Sequence, residues 1–369
     1  MKVVANVQSL RDALKTVTPF VSAKSPKPIL RCVNLSCWGE SAVFYATDLE
    51  RSITAKLEDY TVQSPGDVLL PIEQFGQIVK QLKTDEISIE TDENNVTIRS
   101  GRSKFRLATE SPDEYPSSSE TDATVAFEIS ASLLRAAIKR TVFCTDDIAT
   151  RYALNGILFH VEDEALSMIS TDGKRLAVMQ CGVINPYGYE SENTQTIVPS
   201  DSLTVVSKAL ASCDEMVRVY IDANKVQFYT SACYITCTLM EGRFPKWEDT
   251  LKPRKDEENA TVSVDELLTA VRQGAVCCTK QSNGVDFIFA SNQLTIKSQL
   301  AEVGEATIEA PIDYSGNEIK LRLNYEYVQE VCQAVEKGAS LRIGLVAEKA
   351  AIFTTEDGYL YMVMPMSKQ

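Results

Sequence analysis

Apolar side chains at Leu10, Ala13, Leu14 and Val17 keep the i, i+3, i+4, i+7 spacing of an amphipathic helix. The same stripe returns at Leu134, Ala137, Ile138 and Thr141, and again at Leu267, Ala270 and Val271. After each predicted helix the period changes to two. The stretches VNLSCWGESAVFYATDLERSITAKL from 33, GILFHVEDEALSMISTDGKRLAVMQC from 156 and VDFIFASNQLTIKSQLAEVGEATIEA from 285 each read as strand, polar turn, strand, short break and strand. A second helix follows in VLLPIEQFGQIVKQLK, TIVPSDSLTVVSKAL and IKLRLNYEYVQEVCQAV, with Pro71 and Pro199 at matching starts. Each round closes on a strand meander and ends alike, at Tyr115-Pro116, Phe244-Pro245 and Met364-Pro365. Hairpin turns are expected near Asn94-Asn95, Ala223-Asn224 and Ala347-Glu348.

The chain therefore repeats one unit three times. Polar, turn-rich stretches at 111–122 and 246–259 read as linkers, which predicts domains at 1–122, 123–253 and 254–369. Each is expected to be an α+β unit with two helices on one face of antiparallel sheet. Edge strands in such units are a liability unless neighbouring domains pair them, so the pattern favours closure into a ring. Charge follows the register. Arg11 and Lys15 correspond to Arg135 and Lys139, Arg272 falls at the place of Lys15, and Lys80 matches Lys208 in the second helices.

With 369 residues, 44% hydrophobic and 24% charged, burial of a large core is not limiting. No apolar run reaches membrane-spanning length and the N-terminus lacks a signal-peptide core, so a cytoplasmic location is expected. Ten cysteines form no C-x-x-C pair and lie mostly in apolar runs, as structural thiols of a reducing compartment do. Cys233 and Cys237 share a strand face, but His160 is the single histidine, so no zinc site is expected and no cofactor is called for. The net charge of −14 opposes nucleic-acid binding unless the cations gather on one surface.

One segment, STDGKRLAV at 170–178, has the look of an active site, with Asp172, Lys174 and Arg175 around Gly173. The chain has neither a phosphate-binding G-x-x-x-x-G-K-[ST] loop nor a G-x-S-x-G elbow, which argues against an enzyme. In the first repeat the same place holds ATDLERSIT, so Thr-Asp reads as a turn cap that the fold uses repeatedly.

The segments KPIL at 27–30, ATDLE at 46–50, SGRSKFRLAT at 100–109, RYALNGILF at 151–159, STDGKRLAV at 170–178, IVPS at 197–200, EGRFP at 241–245 and YMVMPM at 361–366 run through the whole chain in order. On these the chain resembles the bacterial sliding clamps, the beta subunits of DNA polymerase III. The resemblance implies three clamp-type domains per chain and a head-to-tail homodimer closed into a six-domain ring around double-stranded DNA, read without regard to sequence. It implies a non-catalytic processivity factor that meets the polymerase alpha subunit, a clamp loader, other polymerases and repair proteins. It implies an apolar peptide groove at Leu154, Thr171, Gly173, Lys174, Arg175, Leu176, Pro245, Asn324, Tyr327 and Met362-Val363-Met364-Pro365-Met366. Arg175 and Asn324 would bond the peptide backbone there. Without the resemblance the terminal stretch reads as a core strand. DNA contacts are expected at Lys24, Arg151 and the recurring helix cations Arg11, Lys15, Lys80, Arg135, Lys139, Lys208 and Arg272. The chain departs from its family at Lys174, where histidine is usual, at Ser282, where an aromatic is common, and at Asp249 and Thr250, so its preferred peptide is expected to differ. A peptide-binding scaffold that does not encircle DNA is the third alternative, disfavoured by those helix cations.

Overall fold

The computed structural model describes residues 1–22, 24–92, 95–117, 124–146, 153–185, 187–191, 195–279, 281–301 and 303–367. Arg151, Asn94 and the end of the first linker lie outside them. Among the described residues the helices are α1 (Val7–Val17), α2 (Ile72–Gln81), α3 (Ala131–Thr141), α4 (Ser200–Ala209), α5 (Val264–Gly274) and α6 (Tyr325–Ala334), two in each repeat. The stripes read from the sequence are the buried faces: Leu10, Ala13, Leu14 and Val17 in α1, and Leu267, Ala270 and Val271 in α5. Asn6 starts α1 by accepting hydrogen bonds from the backbone N–H groups of Gln8 and Ser9 at 2.8 and 3.2 Å.

Every repeat begins one element earlier than the helix stripe suggests, with a strand at Lys2–Asn6, Val125–Ser130 or Glu258–Ser263. At five or six residues these strands are too short to announce themselves by period, and long-range pairing defines them. The strands form four antiparallel sheets. One eight-stranded sheet orders Val125–Ser130, Met216–Ile221, Lys225–Tyr229, Cys233–Thr238, Arg51–Lys56, Ser41–Thr47, Cys32–Trp38 and Gly66–Pro71. The meander of the middle repeat thus continues the strand triplet of the first, joined by Cys233–Thr238 on Arg51–Lys56. A second eight-stranded sheet repeats the plan between the middle and last repeats, where Tyr359–Val363 pairs with Arg175–Gly182.

Because sheets cross the repeat boundaries, the three repeats are grouped into two compact units. One comprises 1–135, 184–189 and 201–239; the other comprises 136–183, 190–200 and 240–369. In the first, α1 packs on α2 and on the strands Ser41–Thr47 and Arg51–Lys56. In the second, α5 packs on α6 and on the strand Gly304–Pro311. Each unit also has a smaller sheet with an outer strand that lacks a second partner among the described residues: Ser103–Ala108 in a five-stranded sheet, opposite Tyr60–Ser64, and Gly304–Pro311 in a four-stranded one, opposite Ile319–Asn324. The second linker is less free than its polarity suggests, since Trp247 and Leu251 pack against Leu158, Ile169, Val178 and Met362.

Candidate peptide groove and basic surface

The STDGKRLAV turn is built from its own side chains. Thr171 Oγ1 donates to the Arg175 carbonyl at 2.5 Å and accepts from the Gly173 N–H at 3.0 Å. Asp172 Oδ1 accepts from the N–H groups of Lys174 and Arg175 at 2.8 and 3.0 Å, and its other oxygen takes Arg175 Nε at 2.9 Å. In the first repeat Thr47, Asp48 and Arg51 make the same bonds. The turn requires a positive φ, which is 83° at Gly173 and 82° at Leu49. The Thr-Asp pair is therefore a structural cap, as its repetition suggests.

Arg175 is buried and fully employed. Its guanidinium sits 4.1 Å from the centroid of Tyr327, pairs with Glu330, and donates to the Phe143 carbonyl at 2.7 Å. Burial pushes the Glu330 carboxyl up, with Arg175 offsetting part of that shift. Asn324, buried at the start of α6, accepts the Glu326 N–H at 2.9 Å. Both side chains hold the walls, Arg175 by fixing the Tyr327 ring and Asn324 by capping the helix that carries it.

Beyond Val363 the chain leaves its strand but stays pinned. The Met364 N–H donates to the Lys174 carbonyl at 2.9 Å and the Met366 N–H to the Arg322 carbonyl at 2.8 Å. Between these anchors lies a cavity of about 390 Å³ lined by Lys174, Asn324, Tyr327, Met364, Pro365 and Met366, all expected, together with Gln281, Ser282, Asn283, Gly284, Arg322 and Ser367. Met364 and Met366 are 49% and 39% exposed, unusual for large apolar side chains. The other expected positions lie elsewhere. Leu176 and Met362 belong to the packed cluster around Phe244, Val363 is buried, and Leu154 and Pro245 are half-buried outside the lining. Asp249 and Thr250 are exposed in the short turn Glu248–Leu251 and are not among the lining residues either. Sequence reasoning missed Arg322, whose one signal is the neighbouring glycine. A Cβ on Gly284 would stand 2.8 Å from Arg322 Nε and 3.2 Å from Met366 Sδ.

Lys15, Lys24, Lys80, Lys139, Lys208 and Arg272 are all exposed. Lys15 and Lys208 line one recess of about 530 Å³ with Lys56, which the repeat pattern did not single out. Arg11 and Arg135 differ. Arg11 donates to the carbonyls of Val79 and Leu82 at the end of α2, and Arg135 to those of Leu210 and Cys213 beyond α4. Their recurrence reflects a staple between the two helices of a repeat, with a cation at a helix C-terminus.

Three family models match in chain order: the DNA polymerase III beta subunit N-terminal domain at 1–119, its central domain at 128–246 and its C-terminal domain at 249–367. The chain belongs to the DNA polymerase III beta-subunit family. It is similar to the beta sliding clamp of Pseudomonas putida, 28% identical over 97% of this chain and 98% of that one. The beta sliding clamp of Escherichia coli K12 is also 28% identical, over 99% of this chain and all of the other. The crystal structure of the DNA polymerase III subunit beta from Pseudomonas aeruginosa superposes with a TM-score of 0.92 at 26% identity, over the full length of both chains. As a beta-subunit clamp the chain has three clamp domains and serves as a replication processivity factor. No described helix is long and apolar enough to cross a membrane.

Proposed function

We propose that two copies join head to tail into a ring around duplex DNA, and that the cavity at Met364–Met366 docks peptides of the polymerase and other replication and repair proteins. The observation that carries the ring is the position of two outer edges, Ser103–Ala108 and Gly304–Pro311. Ser103–Ala108 occupies the same place in its meander as Cys233–Thr238, and Gly304–Pro311 the same place in its triplet as Arg51–Lys56. Those counterparts pair with each other inside the chain. Pairing these edges between copies would join the five- and four-stranded sheets into the same plan, with Tyr60–Ser64 added at its far edge. The edges are complementary in charge, since Lys104 and Arg106 stand on one and Glu305 and Glu309 on the other, while Phe105, Leu107 and Ile308 are half-buried and apolar.

The exposed lysines and Arg272 supply contacts to phosphate that carry no sequence information, which suits a protein that must slide. Retention comes from topology, so no bond chemistry is required, and the domains run over 1–122, 123–253 and 254–369. Sedimentation equilibrium tests the ring. The wild type is expected to be a dimer at micromolar concentration, Leu107→Asp a folded monomer, and dissociation should rise with salt. A wild-type monomer, or equal residence of the loaded protein on nicked circular and linear DNA, would overturn it.

A further inference from the structure

We propose that one face of the first eight-stranded sheet docks an uncharged, proline-rich segment of a partner protein in the polyproline II conformation. The site lies in the compact unit that does not hold the Met364–Met366 cavity. Phe44 and Ile53 are fully buried on one face of the strands Ser41–Thr47 and Arg51–Lys56, so Tyr45 and Thr54, each one residue along, stand on the other. There Tyr45 joins a small separate cluster with Cys32, Leu69 and Tyr115. Straight across the strands from Tyr229, the positions directly opposite one another are Tyr234, Thr54, Tyr45 and Asn34. The rings of Tyr229 and Tyr234 stack at 5.2 Å and 12°, which covers one face of Tyr234 and leaves the other turned along the row towards Thr54. Tyr45 meets Tyr115 edge-on at 5.8 Å, and Tyr115 is fixed by donating its hydroxyl to the Cys32 carbonyl at 2.9 Å.

Two aromatic ridges, Tyr234 and Tyr45, therefore flank a hollow at Thr54, and a second hollow at Asn34 lies beyond Tyr45. A cavity of about 370 Å³ covers both, with Tyr115 and Pro116 on its walls. None of the described residues that line it is acidic or basic, so the ligand that fits is neutral. Thr54 Oγ1 and Asn34 Oδ1 are buried and have no hydrogen-bond partner among the described residues, a costly state that a ligand carbonyl and a ligand N–H would relieve. Polyproline II backbone has no internal hydrogen bonds, so it has such groups to give. Spacing decides between backbone conformations. Thr54 and Asn34 stand two strands apart, about 9.6 Å, and polyproline II repeats every three residues, about 9.3 Å. Residues i and i+3 of a segment laid across the strands thus drop into the two hollows with Tyr45 between them. An extended strand repeats a face every ~6.6 Å and a helix every ~5.4 Å, and neither keeps that register. Rings separated by slots, beside hydrogen-bonding groups, suit a ligand whose conformation is already set before it binds.

The test uses the full chain and fluorescein-labelled decaproline, followed by fluorescence polarisation, with a Gly-Ser peptide of equal length as the control. Decaproline should bind and the control should not, and the affinity should be the same at low and high salt because no charge lines the cavity. Tyr234→Ala should weaken binding about tenfold or more, as loss of an aromatic anchor does. Thr54→Val keeps the shape but removes the hydroxyl, and should weaken it roughly threefold to tenfold. Alanine-based peptides with proline at every third position should displace decaproline, and those with proline at every second should not. If decaproline binds no better than the control, or binds both variants as tightly as the wild type, or loses affinity with salt, the proposal falls. It falls too if maltose or oligothymidylate, rather than decaproline, shifts the intrinsic fluorescence of the wild type and not of Tyr234→Ala, since the cavity would then take a sugar or a base. Thr54→Val, a shape-conserving change, is the independent variant if Tyr234→Ala does not fold.

Discussion

Replacing Arg175 with alanine removes one guanidinium from three kinds of partner at once. Asp172 and Glu330 lose their cation, the Phe143 carbonyl loses its donor, and the Tyr327 ring loses the charge stacked on it. Breaking a buried ion pair by deleting one partner costs about 3–5 kcal/mol. Asp172 is 12% exposed and stays desolvated, whereas Glu330 at 36% can rehydrate, which places the expected loss near the lower end, at about 3 kcal/mol. For a cooperative unit of this size that corresponds to a fall in melting temperature of roughly 6–12 °C. The first repeat contains the control. Arg51 makes the same bond to Asp48 at 2.7 Å, but its second partner, Asp201, is 64% exposed, so Arg51→Ala should cost only about 1–2 kcal/mol. Differential scanning calorimetry of both variants, with peptide binding followed by polarisation, tests the comparison. Arg175→Ala should weaken peptide binding through the loosened Tyr327, and Arg175→Lys should recover stability only in part, because an ammonium cannot reproduce the fork. Equal melting temperatures for the two alanine variants would refute the assignment of Arg175 as the keystone of the groove wall.

Other outcomes follow from single features. Burial raises the thiols of Cys32 and Cys37 to about 11 and those of Cys181, Cys237 and Cys332 to about 12, so Ellman's reagent should titrate Cys213, Cys277 and Cys278 quickly and the rest only after unfolding. Burial acts to raise the Asp357 carboxyl, but Thr355 and Arg140 outweigh it and leave it below its ordinary value; the stability this gives is present above about pH 4 and lost as pH falls through the lowered value. The stability gap between the wild type and Asp357→Asn in urea should therefore narrow from pH 6 to pH 3. No atom stands within 4 Å of a Cβ built on Gly173, so Gly173→Leu should cost only the left-handed backbone, about 1 kcal/mol by chemical denaturation, with the fold intact because Leu49 already occupies that conformation.

What could be read from the sequence follows the range of the interactions involved. The helix stripes and the Thr-Asp turns are set by neighbours a few residues away, and the pattern showed them. The threefold repeat exposed them again by coincidence of register. The opening strands, the sheets shared between repeats and the half-packed second linker depend on partners tens to hundreds of residues distant, as Arg175–Gly182 on Tyr359–Val363 illustrates. For the same reason the partners that fix the side chains around Met364–Met366 were not legible. Nothing nearby in sequence announces Glu330, Phe143 or the capped helix as partners of Arg175 and Asn324. Arg322 escaped notice because its closeness to Gly284 and Met366 spans strand and chain end.

The two bare edges also bear on how such a ring would break. In a closed pair there would be six seams of sheet between successive domains, and four of them would have the polypeptide itself running across. Only the two made by Ser103–Ala108 on Gly304–Pro311 would rely on hydrogen bonds, apolar contact and charge alone. Load applied anywhere on the circumference would concentrate at those two seams. The ring would then part like a clasp, with both halves folded and ready to close again.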